Sequence, residues 1–120
     1  MAYRIFWTPI AVQDLRGVCD FISQDNPAAA QRFGEELIKQ AEVMGLFPQS
    51  GRMVPEKKDP LVRETIVGSY RLIYRVDDAN KIVAIARIWH SARGTPEFQG
   101  EGIYNRPLRA VHYFRLERVG

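Results

Sequence analysis

Between Leu61 and Arg93 the chain carries three apolar runs split by two turn signals, at Gly68-Ser69 and at Asp77-Asp78-Ala79-Asn80. Runs of that length and spacing predict a three-stranded antiparallel meander. They are rich in Val, Ile and Tyr, residues that suit a pleated, half-buried surface. The middle run alternates. Tyr70, Leu72, Tyr74 and Val76 point to one face, and Arg71, Ile73 and Arg75 to the other. Two arginines do not enter a dry core without partners. One sheet face is therefore expected to be core, and the other an open, basic working surface.

The preceding half of the chain reads as helical. Tyr3-Arg4-Ile5-Phe6-Trp7 is a short aromatic and β-branched strand. Thr8 can cap a helix and Pro9 suits its first position. Ala11, Leu15, Val18, Cys19 and Ile22 then form one apolar stripe, on which Cys19 is expected to be a buried structural thiol. Asn26-Pro27 repeats the cap-and-proline signal, followed by a second stripe at Ala30, Phe33, Leu37, Ala41 and Met44. The short connection predicts an antiparallel helical hairpin with both stripes against the sheet. Residues 47–52 read as a turn, and residues 53–60, with two prolines and the charged run Glu56-Lys57-Lys58-Asp59, as a loop. The fold class is therefore α+β in the order β-α-α-β-β-β, on a mainly antiparallel sheet. Beyond Gly100 the pattern weakens. Leu108, Val111 and Arg115 fit a helix begun at Pro107, while Val111, Tyr113 and Arg115 fit a strand.

A chain of 120 residues is expected to form one domain, burying roughly two-thirds of its unfolded surface without disulfide or metal. The lone Cys19 cannot form an internal disulfide, no run approaches the ~20 apolar residues of a membrane span, and the N-terminus lacks the pattern of a signal peptide. A cytoplasmic protein without membrane contact is expected. The net charge of +3 is uneven. Residues 8–47 hold three basic and six acidic residues, a net of −3, and the remainder holds fourteen and eight, a net of +6. A basic sheet half beside an acidic helical half points to an anionic partner on the sheet side. No Cys/His cluster has metal-ligand spacing and no glycine-rich phosphate loop precedes a helix, so no cofactor and no metal is expected.

Several segments, in order, resemble the RelE/ParE family, the toxins of type II toxin–antitoxin modules, also called plasmid stabilisation proteins. They are Asn26-Pro27-Ala28-Ala29-Ala30, Phe47-Pro48 with Ser50-Gly51-Arg52, Val62-Arg63-Glu64, Gly68 to Arg75, and His90-Ser91-Ala92-Arg93. The resemblance covers a toxin domain over residues 1–98 and leaves residues 99–120 as a C-terminal extension. It implies a growth inhibitor held inactive by an antitoxin that contacts the basic sheet face and the outside of the hairpin. Antitoxins of this family carry the operator-binding domain, so no independent sequence-specific DNA binding is expected here. RelE-like members cut messenger RNA in the ribosome, and ParE-like members poison DNA gyrase. The Pro-Ala-Ala-Ala, Ser-Gly-Arg and His-Ser-Ala-Arg segments lean to the ParE-like side.

Cleavage by a ribose 2′-hydroxyl needs a base, positive charge on the phosphate and an acid for the leaving oxygen. On the nuclease reading the resemblance implies Arg71 on the phosphate, His90 as acid or base, and Arg63 adding charge. On either reading Arg63, Arg71, Arg75 and Arg93 are candidates for target or antitoxin contact. The ribonuclease pattern is incomplete. One arginine stands where RelE itself has two lysines on the strand, and Phe98, which transfers no proton, stands near the place of a tyrosine. Arg71 and Arg75 also have a structural alternative, pairing with Glu64 across the hairpin, worth about 0.2–1 kcal/mol if exposed. A degenerate member that only binds its antitoxin is the third alternative.

Overall fold

A computed structural model describes residues 2–98. Strand β1 spans Arg4–Trp7, helix α1 Pro9–Ser23 and helix α2 Pro27–Leu46. Strands β2 (Arg52–Met53), β3 (Val62–Val67), β4 (Tyr70–Asp77) and β5 (Ile82–His90) follow, and a short 3-10 turn at Ser91–Arg93 comes after them. The five strands lie in the order β1-β5-β4-β3-β2, with β1 parallel to β5 and every other pair antiparallel. The expected extension over residues 99–120 lies outside the described residues.

Both helix starts follow from local chemistry. The Thr8 hydroxyl accepts from the Ala11 amide at 3.2 Å, and the Asn26 side chain accepts from the Ala29 amide at 3.0 Å, each satisfying an otherwise orphaned N–H. Thr8 also donates to the Ile85 carbonyl at 2.8 Å, which ties the start of α1 to β5. The hairpin buries Ala11, Val12 and Leu15 of α1 and Leu37, Ala41 and Met44 of α2 against Leu72, Tyr74, Val76, Val83, Ile85 and Ile88 of the sheet. At Gly45 the last turn of α2 meets β1 so closely that a Cβ would lie 2.9 Å from the Tyr3 carbonyl oxygen and from the Ile5 side chain. Cys19 is half-buried between the helices, its Sγ 3.9 Å from the Ala30 carbonyl, and burial raises its pKa.

The two-residue turn at Gly68-Ser69, with Gly68 at φ +58°, sets Val67 opposite Tyr70 and Glu64 opposite Ile73. A bulge in the β4–β5 pairing falls between Ile73 and Tyr74. Strand β2, read from sequence as turn and loop, pairs Arg52 with Glu64 and Met53 with Arg63. Two residues are too short to show period-2 alternation, so the pairing has no sequence signature.

The outer sheet face, opposite the helices, corrects the expectation of an open basic surface. Val54, Val62, Ile73, Ala86 and Trp89 form a second buried cluster there, with Phe98 packed against it. The segments around residues 54–60 and 94–98 cross this face as two straps.

Candidate functional site

Arg71 sits on the outer face, opposite Ile66 on β3 and Trp89 on β5, and is only 7% exposed. Its Nε donates to Glu64 Oε1 at 2.6 Å. Its two terminal nitrogens donate to the two carboxylate oxygens of Glu56, at 3.0 and 2.7 Å, in a bidentate fork. Glu64 is 1% exposed and accepts again from Arg52, whose Nε lies 2.7 Å from Oε2. The network therefore runs Glu56–Arg71–Glu64–Arg52 from the strap through β4 and β3 to β2. Hydrogen bonding to Glu56 and Glu64 holds Arg71 charged well beyond the ordinary guanidinium range. The same contact with Arg71 holds the Glu56 carboxyl below its usual pKa. Arg75 is paired with Asp59 of the strap at 3.3 Å and not with Glu64, because Glu64 is engaged by Arg71 and Arg52.

Beside this network lies a tryptophan between two cations. The Arg93 guanidinium lies 4.0 Å and that of Arg87 5.0 Å from the Trp89 ring centre. The indole N–H donates to the Gly94 carbonyl at 3.2 Å. Arg87 is itself held by Asp14 of α1, with Nε and Nη2 at 2.9 and 3.0 Å, and Asp14 also accepts from the Ile88 amide at 2.9 Å. Asp14 thus serves the β5 backbone past Ile85, where the register with β1 ends. Arg93 is exposed.

Arg63 and His90 lie on the other side of the sheet. Arg63 is opposite Tyr74 and His90 is opposite Tyr70, both on the helix-facing side. The Arg63 guanidinium donates to the Pro60 carbonyl at 3.0 Å and the Gly51 carbonyl at 2.9 Å. His90 is exposed, stands edge-on to Tyr70 at 5.0 Å between ring centres, and accepts at Nδ1 from the Ala92 amide at 3.0 Å. That bond caps the 3-10 turn and leaves Nε2 as the other ring nitrogen, a positioning device for residues 91–93. The structure thus gathers Arg71 and Arg93 on the face of Trp89 and separates both from Arg63 and His90. Those four side chains are divided between the two faces of the sheet, and the Arg71 guanidinium is engaged by two carboxylates.

Glu64 was legible in the sequence as a pairing partner, because it shares a face with Arg71 once the turn fixes the register. The partnership with Glu56 was not, since a mixed charge run in a loop is ordinarily solvated. Asp14 carries no local signal, for its partner lies 73 residues away. Among the described residues no group of three or more His, Cys, Asp or Glu side chains could hold a metal ion. No described helix is long and apolar enough to cross a membrane.

Open surface remains at the β2 edge and the end of α2. Leu46, Phe47, Met53 and Leu61 are exposed there. Leu46, Phe47, Pro48, Gln49 and Ser50, with Tyr3 and Asp78, line a shallow pocket of about 310 Å³. The Tyr3 hydroxyl donates to Asp78 at 2.6 Å at one wall. The Tyr74 hydroxyl fastens the residue 47–51 turn, donating to the Pro48 carbonyl and accepting from the Gly51 amide, each at 2.9 Å.

Comparison with known proteins places this architecture. The family described as ParE toxin of type II toxin–antitoxin system, parDE, matches residues 5–94. Toxin RelE2 of Caulobacter vibrioides is 36% identical over 90 residues, which cover 75% of this chain and 97% of that protein. Among solved structures, a chain from the chromosomal ParDE system of P. aeruginosa superposes with a TM-score of 0.60 at 22% identity, over 74% of this chain and 96% of that one. A chain of the RelBE2 toxin–antitoxin complex of Mycobacterium tuberculosis gives 0.55 at 24% identity, over 75% and 92%. A mutant of E. coli toxin RelE in the free state gives 0.54 at 16% identity, over 93% and 100%. These likenesses carry the two-helix, mixed-sheet fold, and the match over residues 5–94 carries the family: the chain belongs to the RelE/ParE toxins of type II toxin–antitoxin systems.

Proposed function

We propose that this chain is a ParE-like growth inhibitor that acts in the cytoplasm by binding DNA gyrase and is neutralised by a cognate antitoxin. The observation that carries the reading is the engagement of Arg71. Its guanidinium is committed to Glu56 and Glu64 on the face opposite Arg63 and His90. Phosphate stabilisation and proton transfer need groups that converge within hydrogen-bond reach of the same atoms. Inhibition by binding needs only a shaped and charged surface. Arg93, exposed beside Trp89, and Arg63, on β3 next to the edge-strand residue Met53, are the proposed contacts for target or antitoxin. Arg71 and Arg75 act indirectly, by holding the strap that shapes the outer face. The proposed antitoxin surface runs from the end of α2, where Leu46 and Phe47 are exposed, to the β2 edge at Met53 and Leu61, and these four offer apolar anchors.

The name of the relative from C. vibrioides favours a second reading, ribosome-dependent cleavage of messenger RNA through Arg71, Arg63 and His90. One experiment separates the two. The chain is induced without antitoxin, and DNA synthesis and translation are scored separately. The gyrase reading expects a DNA-damage response, early loss of DNA synthesis and recovery of gyrase with the tagged chain. Halted translation with intact DNA synthesis, and transcript ends inside translated codons that vanish in His90→Ala and Arg71→Ala, would establish the nuclease instead. Unimpaired growth would leave an antitoxin-binding role alone.

A further inference from the structure

The outward face of α1 carries two features that nothing among the described residues accounts for. Gln13, Arg16, Gly17, Asp20, Phe21 and Gln24 are all exposed and follow one another at helical spacing. Gly17 stands in the helix interior, where glycine is the poorest residue after proline. A Cβ added there would meet no atom within 4 Å. Most other described glycines have a reason: at Gly45 and Gly51 a Cβ would lie within 3.0 Å of another atom, and Gly68 and Gly94 have positive φ, while at Gly34 it would only touch the Cys19 sulfur at 3.4 Å. One turn beyond Gly17, Phe21 is 65% exposed, the largest exposure among the described bulky hydrophobics. An open notch and an unburied knob thus stand side by side on one helix.

We infer that this face is the docking surface for a second copy of the same chain, with the two α1 helices antiparallel about a two-fold axis. The argument for a second copy is self-complementarity. Phe21 follows Gly17 by four residues, and Asp20 follows Arg16 by four, so knob and notch, and minus and plus, are each one turn apart, about 6 Å along the axis. Inverting the helix reverses both orders at once. Phe21 then covers the partner's Gly17 while Arg16 faces the partner's Asp20, and the two-fold axis repeats each contact. Glycine lets the backbones approach, and the phenyl ring loses the water that surrounds it in the monomer. A single helix-on-helix contact falls short of the ~1,200 Å² of a stable specific interface, so the association is weak and concentration-dependent.

The test is sedimentation velocity of the full chain from low micromolar to submillimolar concentration. A monomer–dimer equilibrium is expected, weakened about tenfold or more by Phe21→Lys. Gly17→Ala is the discriminating variant. It should raise the thermal midpoint of the dilute monomer while weakening the dimer, a divergence that a purely structural glycine would not give. Arg16→Asp and Asp20→Arg should each weaken the dimer, and the double exchange should restore it. Circular dichroism establishes that each variant is folded. A chain monomeric throughout, a dimer indifferent to Phe21→Lys, or an effect of Phe21→Lys seen only in the antitoxin complex would each overturn the inference.

Discussion

Both faces of the sheet hold a buried cluster, but the two are kept from water by different means. On the helix side, Leu72, Tyr74, Val76 and Ile85 meet the stripes of α1 and α2 in an apolar core that needs only area and fit. On the outer side, Val54, Ile73 and Trp89 are just as buried, but Arg71 and Glu64 are buried with them. There each ion must be answered by name: Arg71 by Glu64 and Glu56, Glu64 again by Arg52. No buried side-chain nitrogen or oxygen among the described residues lacks a hydrogen-bond partner. Arginine alternating with apolar residues on a strand therefore does not by itself mark a wet surface. It marks a face that must be either solvated or supplied with carboxylates, and here β3 and the strap supply them.

The comparison breaks if the outer network tolerates loss of one member. Leu37, fully buried on the helix side, sets the scale: Leu37→Ala should cost about 3 kcal/mol in denaturant unfolding, as a cavity in a packed core does. Glu64→Ala should cost nearly as much, on the order of 3 kcal/mol, because it strands the buried Arg71 with only the partly exposed Glu56. The diagnostic result is rescue. Replacing both partners, Glu64→Leu with Arg71→Met, should recover most of the lost stability, since no buried ion of the network remains and the two ions that lose a partner, Glu56 and Arg52, reach solvent. No rescue in the double variant would mean that the outer face depends on the shape of these side chains rather than on their charge balance. On the helix side no second substitution of this kind exists, which is the sense in which the two faces differ.

What the sequence reveals follows the same division. Thr8, Asn26 and the two prolines after them announce both helices, and the Gly68-Ser69 turn announces the β3–β4 register, because caps and turns act through residues close in the chain. The apolar stripes announce the helix-side core because any large apolar residue at the right phase will do. The outer face is less legible. Its partners are specific and distant: Glu56 is 15 residues from Arg71, and Asp14 is 73 from Arg87. Nothing local distinguishes a loop glutamate that clamps an arginine from one that faces water. Strand phase sets Arg71 on the face opposite Tyr70 and Tyr74, and there it lies. The neighbour that changes the meaning of Arg71 comes from a strap with no periodicity.

The smallest expected effect concerns that strap. Glu56 is partly open to solvent, with a third of its side chain exposed, so Glu56→Gln should cost only about 1 kcal/mol. Its pH dependence has a defined sign. The folded-state pKa of Glu56 is lowered, first by the hydrogen bonds from Arg71. A lowered folded pKa means that the unfolded chain binds the proton more readily. The Glu56 contribution is therefore fully present above the ordinary glutamate range and is lost as pH falls through that range toward the lower folded value. Wild-type and Glu56→Gln stabilities should converge as the pH is lowered, measured as urea midpoints from neutral pH down to about pH 3. Leu37→Ala should keep its full deficit across the same range, because no titrating group enters its cavity term. If the Glu56→Gln difference is flat with pH, the carboxylate is not what holds the strap. The outer face would then be closed by the packing of Val54 and Phe98 and by the Asp59–Arg75 contact, without Glu56.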